Sequence, residues 1–209
     1  MVLPEQIKTT EGFTEAKLKE KGSLFHSLVY FAETKEEADE ILSKLRNQYY
    51  DATHHCFACK FRDGGVKYSD DGEPSGTAGL RILKAIEHFE VTDVLVVTIR
   101  YFGGTKLGVG PLGKAYYDSA LRALSLAPVI IKSAFRLIKI SFSDEFTNPV
   151  YHQAGIFELR IKESGYEERN YVLGYIKENR LKQLAELLKN LTKGEVDVEI
   201  MGEIGYLAV

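Results

Sequence analysis

The stretch "DVLVVTIRYFGGTKLGVGPLGKA", Asp93 to Ala115, joins a strongly apolar segment to a glycine-rich one. The segment Asp93–Phe102 is almost continuously apolar and rich in β-branched residues, which predicts a strand covered on both faces. After the glycines, Leu112–Leu126 has the apolar spacing of a helix that stops before Pro128. The stretch therefore predicts a buried strand, a glycine loop and a helix, in that order.

The glycine loop matches two nucleotide-binding patterns only in part. Counted from Gly108 it reads G-x-x-x-x-G-K-A, but a Walker A loop needs a hydroxyl for Mg²⁺ where Ala115 stands. It also reads G-x-G-x-x-G, but the glycines of a dinucleotide site open the turn directly after the strand, whereas residues 103–107 intervene here. Both nucleotide-binding interpretations are therefore disfavoured.

Two other interpretations of the loop remain open. In the first, the glycines serve close backbone packing and the lysines are solvated. In the second, amides at the helix N-terminus bind an anion with the help of nearby cations. A local basic patch supports the second interpretation, since Arg100, Lys106, Lys114 and Arg122 are accompanied by Asp118 alone.

The acidic loop "SDDGEPSGTAG", residues 69–79, also allows two interpretations. Its carboxylates could hold a divalent cation or act as an acid/base pair. Alternatively, they favour the N-terminus of the helix that follows, with Ser75 or Thr77 as the cap. Because the spacing of a calcium-binding loop is absent, the sequence favours the second interpretation, and we predict neither a metal nor a cofactor.

The segment "HHCFAC", residues 54–59, contains a C-x-x-C pattern. Alternate residues of a strand face opposite ways, so Cys56 and Cys59 are expected on different faces. The sequence offers no second pair of ligands elsewhere, which argues against structural zinc. A redox dithiol or a Cys56 nucleophile is less favoured than two small buried hydrophobic residues.

Composition bounds the class of protein. The 209 residues, 44% of them hydrophobic, suffice for one large domain or two small ones. The net charge of −3 means that any contact with a polyanion must come from a local patch. No apolar run approaches the roughly 20 residues of a membrane span, and two cysteines fit a reducing compartment. We expect a cytoplasmic protein without membrane contact.

The elements along the chain divide into two groups. Ahead of the opening stretch, Ser23–Ala32 predicts a strand, and Thr34 with Glu37 predicts a capping box at the start of a helix. After it, the order is β-α-β-β-α-β, the split βαβ arrangement of ferredoxin-like domains. The first helix of this second group is predicted to begin with Asn148 as N-cap and Pro149 as its first residue.

Three segments together carry a family resemblance. "DATHHCFAC", "YSDDGEPSGTAG" and "VVTIRYFGGTKLGVGPLGKAY" occur in this order and resemble the YigZ/IMPACT family, uncharacterised protein family 0029. The resemblance covers the whole first domain, and the second half fits the extra domain of bacterial YigZ-like members. Two positions depart from the family pattern: Leu80-Arg81 replaces a basic-Pro pair, and Pro111 replaces a glycine.

The resemblance implies an α+β fold of two domains. Residues 1–130 would form a domain like the second domain of ribosomal protein S5. Residues 131–209 would form a ferredoxin-like βαββαβ domain similar to domain V of elongation factor G. The corresponding consecutive domains of that factor, IV and V, approach ribosomal RNA.

The resemblance, together with the local basic patch and the glycine loop, nominates site residues. An anion- or nucleic-acid-binding set would comprise Arg100, Gly103, Gly104, Lys106, Gly108, Gly110, Gly113, Lys114 and Arg122. The family-motif positions of the acidic side are His55, Asp70, Asp71, Gly72, Glu73, Pro74, Gly76 and Thr77. Tyr101 and Phe102 could stack on bases, although Phe102 is expected in the core.

The functional expectation is a cytoplasmic, non-enzymatic factor that binds RNA or the ribosome through the glycine loop and regulates translation. One alternative is an enzyme whose cleft joins the acidic loop to the glycine loop and accepts an anionic substrate. The same opposite charges could instead form a salt bridge that only clamps the loops. A further alternative is a protein-interaction module in translation control, as in eukaryotic relatives, which act partly through a different N-terminal domain that this chain lacks.

Overall fold

The computed structural model describes residues 3–208, which form two compact units. The first unit ends at Ile131 and the second begins at Lys132. Within the described residues, no helix combines the length and apolar character needed to cross a membrane.

The first unit contains six strands and three helices. In chain order they are β1 (Gln6–Thr10), β2 (Phe13–Glu20), β3 (Ser23–Phe31), α1 (Lys35–Gln48), β4 (His54–Lys60), β5 (Val66–Ser69), α2 (Gly79–Phe89), β6 (Val94–Tyr101) and α3 (Val109–Leu126). Five of these strands form one sheet in the order β2-β3-β6-β4-β5, and every neighbouring pair is antiparallel.

Strand β6 lies at the centre of this sheet and is buried along its length up to Tyr101. Val94 and Val96 pack with helices α2 and α3, whereas Leu95 and Val97 pack with α1 on the opposite face. The predicted burial on both faces is confirmed. It arises in an antiparallel sheet because helices cover both sides, rather than from the parallel arrangement that such runs usually indicate.

The predicted N-cap of α1 is confirmed, and the carboxylate of the predicted capping box bonds one residue earlier than expected. Thr34 is the N-cap, and its hydroxyl accepts a hydrogen bond from the amide of Glu37 at 3.2 Å. The carboxylate of Glu37 reaches back to the amide of Glu33, at 2.8 Å, rather than to that of the cap. Two otherwise unpaired amides are satisfied by one pair of side chains.

The second unit has the predicted β-α-β-β-α-β order. Its elements are β7 (Val129–Phe142), α4 (Thr147–Ile156), β8 (Arg160–Tyr166), β9 (Asn170–Lys177), α5 (Glu178–Leu191) and β10 (Asp197–Ala208). The antiparallel pairings β10–β7, β7–β9 and β9–β8 place the strands in the ferredoxin-like order. The α+β fold class is therefore confirmed. Both helices contribute to the core, as in the packing of Val150 and Leu184 with Ile140 and Val172.

The predicted start of α4 is wrong. The helix begins at Thr147 and its N-cap is Phe146, so Asn148 and Pro149 lie inside the first turn. A 3-10 turn, Asp144–Phe146, leads directly into the helix. In this turn the carbonyl of Asp144 accepts from the amide of Thr147. Proline is tolerated in the first turn of the helix because its missing amide has no helical partner there.

Candidate functional site

A cavity of about 450 Å³ lies in the first unit, between the acidic loop and the start of α3. We call it the Glu73 cavity. Its polar lining residues are Thr53, His54, Glu73, Arg100 and Lys106. The remaining lining residues are Pro74, Phe102, Leu107, Gly108, Val109 and Leu112. Acidic loop, strand β6 and glycine loop therefore meet at one concave site.

The acidic loop is held in place by the carboxylate of Asp70. Its Oδ2 accepts a hydrogen bond from the amide of Gly76 at 2.8 Å, and its Oδ1 accepts from the amides of Ala78 and Gly79, both at 2.9 Å. Asp70 thus caps α2 although it lies nine residues before Gly79, the first residue of the helix. The expectation that a carboxylate serves this helix start holds, but the predicted caps are wrong: the N-cap is Ala78, and the Thr77 hydroxyl donates to Pro74 instead.

Close backbone contact explains one glycine on each side of the cavity. A Cβ atom on Gly79 would lie 2.8 Å from backbone atoms of Ser69, and one on Gly103 would lie 1.9 Å from the carbonyl carbon of Gly22. No larger residue fits at either place without moving backbone. The packing interpretation of the glycines thus accounts for Gly103, at the first turn after β6.

Asp71 ties the acidic loop to β4. One carboxylate oxygen accepts from the amide of His55 at 2.7 Å, and the other accepts from the guanidinium of Arg46 at 3.1 Å. The His55 ring is buried and its Nε2 donates to the carbonyl of Tyr49 at 3.0 Å. His55 and Asp71 therefore hold the scaffold together rather than lining the cavity.

Glu73 and Arg100 form the charged floor of the cavity. Glu73 Oε1 accepts from Arg100 Nη1 at 2.5 Å and from the hydroxyl of Tyr116 at 2.7 Å. Both charged side chains are almost completely buried, with exposed fractions of 5% and 6%. Burial raises the pKa of Tyr116 well above its usual range, with Cys56 and Glu73 adding to the effect, so its hydroxyl remains a donor. This buried ion pair is the salt-bridge clamp named among the alternatives, and it joins the acidic loop to β6.

His54 lines the cavity, and the sequence interpretation passed over it in favour of His55. Its Nδ1 lies 2.8 Å from the carbonyl oxygen of Asp71, and a carbonyl only accepts, so Nδ1 carries the proton. Nε2, on the other side of the ring, lies 3.8 Å from Glu73 Oε1. The signal that could have found it is the alternation of β4, which places His54 on the same face as Cys56.

The four cations of the predicted basic patch do not share one site. Arg100 is buried in the Glu73 cavity, and Lys106 lines the same cavity from its exposed loop. Lys114 forms an ion pair with Asp118 one turn along α3 and lines a different groove. Arg122 is exposed and lines neither. Phe102, expected in the core, is 45% exposed beside the Arg100 guanidinium.

The second groove, of about 440 Å³, lies between α2 and α3. We call it the basic groove, and it is lined by Arg81, Lys84, Gly110, Gly113, Lys114 and Tyr117. A Cβ on Gly113 would lie 3.1 Å from Arg81 Nε, so this glycine gives the guanidinium room to cross α3. Sequence reasoning noted Arg81 only as a departure from the family pattern. Its proximity to Lys114 depends on helix packing.

The remaining nominated positions are backbone features. Gly72, Gly76, Gly104 and Gly108 adopt positive φ angles between 74° and 87°. Pro74 and Gly108 line the Glu73 cavity, and Gly110 lines the basic groove. These residues shape the two loops, while the hydrogen-bonding side chains come from the acidic loop, from strands β4 and β6 and from α3.

The two cysteines lie on opposite faces of β4, as predicted. Cys56 packs with α2 and α3, and Cys59 packs with α1. Burial raises the pKa of both thiols, that of Cys59 to about 11, so both remain protonated near neutral pH. Neither is prepared as a nucleophile. Within residues 3–208, no group of three or more His, Cys, Asp and Glu side chains is arranged to hold a metal.

Comparison with known proteins identifies the family of this two-unit α+β chain. The Impact N-terminal domain family matches residues 21–124. The IMPACT family member YvyE of Bacillus subtilis (strain 168) is 33% identical over 176 residues, which cover 83% of this chain and 81% of the relative. The chain belongs to the IMPACT family, and the resemblance read from the three sequence segments is confirmed.

Two further relatives extend the comparison. The IMPACT family member YigZ of Escherichia coli (strain K12) is 36% identical over 112 residues, covering 50% of this chain and 55% of the relative. Among solved structures, a crystal structure of a hypothetical protein has a TM-score of 0.69 at 24% identity, covering 96% of this chain and all of that one. The likeness to this solved structure shows that the two chains share a fold.

Proposed function

We propose that this IMPACT family protein is a cytoplasmic, non-enzymatic factor that binds RNA and regulates translation. The contact surface in this proposal is the basic groove. The observation that carries it is the convergence of Arg81, Lys84 and Lys114 around one concavity whose lining contains no acidic residue. Arg100 and Lys106, which line the Glu73 cavity, are excluded from the contact surface.

Each side chain of the groove has a role in this proposal. Lys84 and Lys114 are exposed and provide point charges for phosphates. Arg81 is part-buried and lines the groove, where its guanidinium can donate to a phosphate oxygen. Tyr117 is half-buried and offers a ring on which a base can stack.

The strength of binding follows from the charges. The chain carries a net charge of −3, so attraction comes from the groove alone and affinity is modest. With contacts from the three cations to a single strand, affinity falls about 20-fold between 50 and 200 mM salt. The role in translation rests on family membership, and the ribosome is the expected source of the RNA.

The test is binding of a fluorescein-labelled single-stranded RNA, and of purified ribosomes, at these two salt concentrations. The double variant Lys84→Gln/Lys114→Gln is expected to lose binding to both. The matched control is Lys17→Gln/Lys44→Gln, which removes the same charge from exposed positions on β2 and α1. Equal loss in both double variants, or no RNA binding by the unmodified chain, would contradict the proposal. Capture of one protein that survives nuclease treatment would favour the protein-interaction alternative.

A further inference from the structure

We propose that the Glu73 cavity is a binding site for a small organic anion, one carboxylate or phosphate group carried on an apolar body. This site is separate from the basic groove, because the two share no lining residue. The proposal goes beyond RNA binding and does not depend on it.

Donors for the anionic group converge from three elements. Arg100 is 5% exposed, and its Nε has no hydrogen-bond partner within residues 3–208 although Nη1 and Nη2 are engaged. Lys106 lines the cavity from the glycine loop and forms no ion pair among the described residues. The lining also includes Gly108 and Val109, at the start of the 18-residue helix α3, where amides lack helical partners.

The orphaned Arg100 nitrogen is the decisive observation. A buried guanidinium donor without an acceptor costs free energy, and folded proteins rarely leave one unsatisfied. Nε is enclosed by protein atoms, so a ligand oxygen in the cavity would remove that cost once the Arg100 side chain turns this nitrogen toward it. The helix N-terminus and Lys106 would add favourable charge at the same place.

The charges of the site select the charge of the ligand. Arg100 and Lys106 contribute two positive charges, and Glu73 contributes one negative charge. The cations of the lining therefore outnumber its one carboxylate, which favours an anionic ligand. Because Arg100 and Tyr116 both donate to Oε1, Glu73 Oε2 remains free within the described part of the chain. This oxygen can accept from a hydroxyl or amine on the ligand.

The rest of the lining selects the body of the ligand. Phe102 and Val109 are 45% and 64% exposed although both are apolar, and both lie on this cavity. Leu107 and Leu112 form the buried part of the wall, with Pro74 on the acidic side. An aromatic or aliphatic body lying on these side chains would remove their exposed surface from water.

The experiment is a titration of the full ¹⁵N-labelled chain with phenyl phosphate, benzoate and benzyl alcohol, followed by amide chemical shifts and calorimetry. At least one anion is expected to shift amides around residues 106–112, and benzyl alcohol is expected to bind at least tenfold more weakly. Which anion binds more tightly assigns the site to a phosphate or to a carboxylate. Lys106→Gln changes an exposed residue, so the fold remains intact, and it is expected to weaken anion binding about tenfold.

Two further variants make the result decisive. Val109→Asp places a carboxylate at the cavity and is expected to abolish anion binding. Lys114→Gln, the matched control in the basic groove, is expected to leave it unchanged. The proposal is overturned if neither anion binds at millimolar concentration, if benzyl alcohol binds as tightly, or if Lys114→Gln weakens binding as much as Lys106→Gln. RNA binding by the unmodified chain is unaffected by any of these outcomes.

Discussion

Two ion pairs in the first unit, Arg100–Glu73 and Lys114–Asp118, have opposite surroundings. In the first pair the exposed fractions of the two side chains are 6% and 5%, and in the second they are 75% and 33%. The sequence grouped Arg100 and Lys114 in one patch because both are cations close to the same glycine loop. The difference teaches that the position of a residue in the fold decides whether its charge is buried or exposed. Strand β6 is central and buries Arg100, whereas α3 exposes Lys114.

The energetic consequences of the two surroundings differ as strongly. Breaking a buried pair leaves one charge in a poorly solvated place, and the cost is that of the abandoned partner. An exposed pair is screened by water and salt, and its members lose little when separated. The buried pair therefore contributes to the stability of the cavity walls, whereas the exposed pair contributes little to stability.

Arg100→Met should give the largest effect. It removes the cation while keeping an apolar stem of similar length, and it leaves Glu73 buried without its charged partner. We expect the free energy of unfolding to fall by about 3–5 kcal/mol, measured by urea denaturation followed by circular dichroism. The control is Arg46→Met, which breaks the pair with Asp71 from a half-exposed position and should cost less than about 1 kcal/mol. Equal losses of stability in the two variants would contradict the expected difference between a buried and an exposed ion pair.

Asp70→Ala is an intermediate case, because its carboxylate is part-buried and its partners are backbone amides. Three amides at the start of α2 lose their acceptor, and water can replace it only in part. We expect a loss of about 2 kcal/mol in the same denaturation assay. Asp39→Ala, which breaks an exposed pair with Lys67, serves as the control and should change stability by less than about 0.5 kcal/mol. A loss at Asp70 no larger than this would show that the cap is not formed.

Lys114→Ala should give the smallest effect on stability. Its pair with Asp118 spans one turn of an exposed helix face, and alanine is a good helix former. We expect the free energy of unfolding to change by no more than about 0.5 kcal/mol, while RNA binding through the basic groove weakens. A stability loss above about 1 kcal/mol would mean that Lys114 is a structural residue, and the contrast with Arg100 would disappear.

Local signals predicted much of the first unit and failed where a contact came from elsewhere in the chain. The burial of β6 and the cap of α1 depend on neighbouring residues and were predictable. Strand β2 was not predicted, because its sequence "FTEAKLKE" is largely polar and only Ala16 and Leu18 pack on the core. The cap of α2 was assigned to nearby hydroxyls, whereas Asp70 reaches it across a turn.

The candidate site, too, was predictable from local sequence only in part. The sequence places opposite charges on two constrained loops, which was sufficient to suggest a clamp or a cleft between them. It did not indicate that His54 rather than His55 would face the cavity, since that depends on which helices cover each face of β4. Nor did it bring Arg81 to Lys114, because their positions meet only when α2 packs against α3.

The sequence by itself determined the family, the α+β class, the order of elements in the second unit and the separation of the two cysteines on opposite faces. Each of these depends on periodicity, local capping or a long motif, all of which are carried by residues close together in the chain. Only the tertiary structure decided that Arg100 is a buried partner of Glu73 and that Lys114 belongs to another groove. The reason is physical, since burial and ion pairing depend on distances across the sheet and between helices, which residue spacing along the chain does not specify.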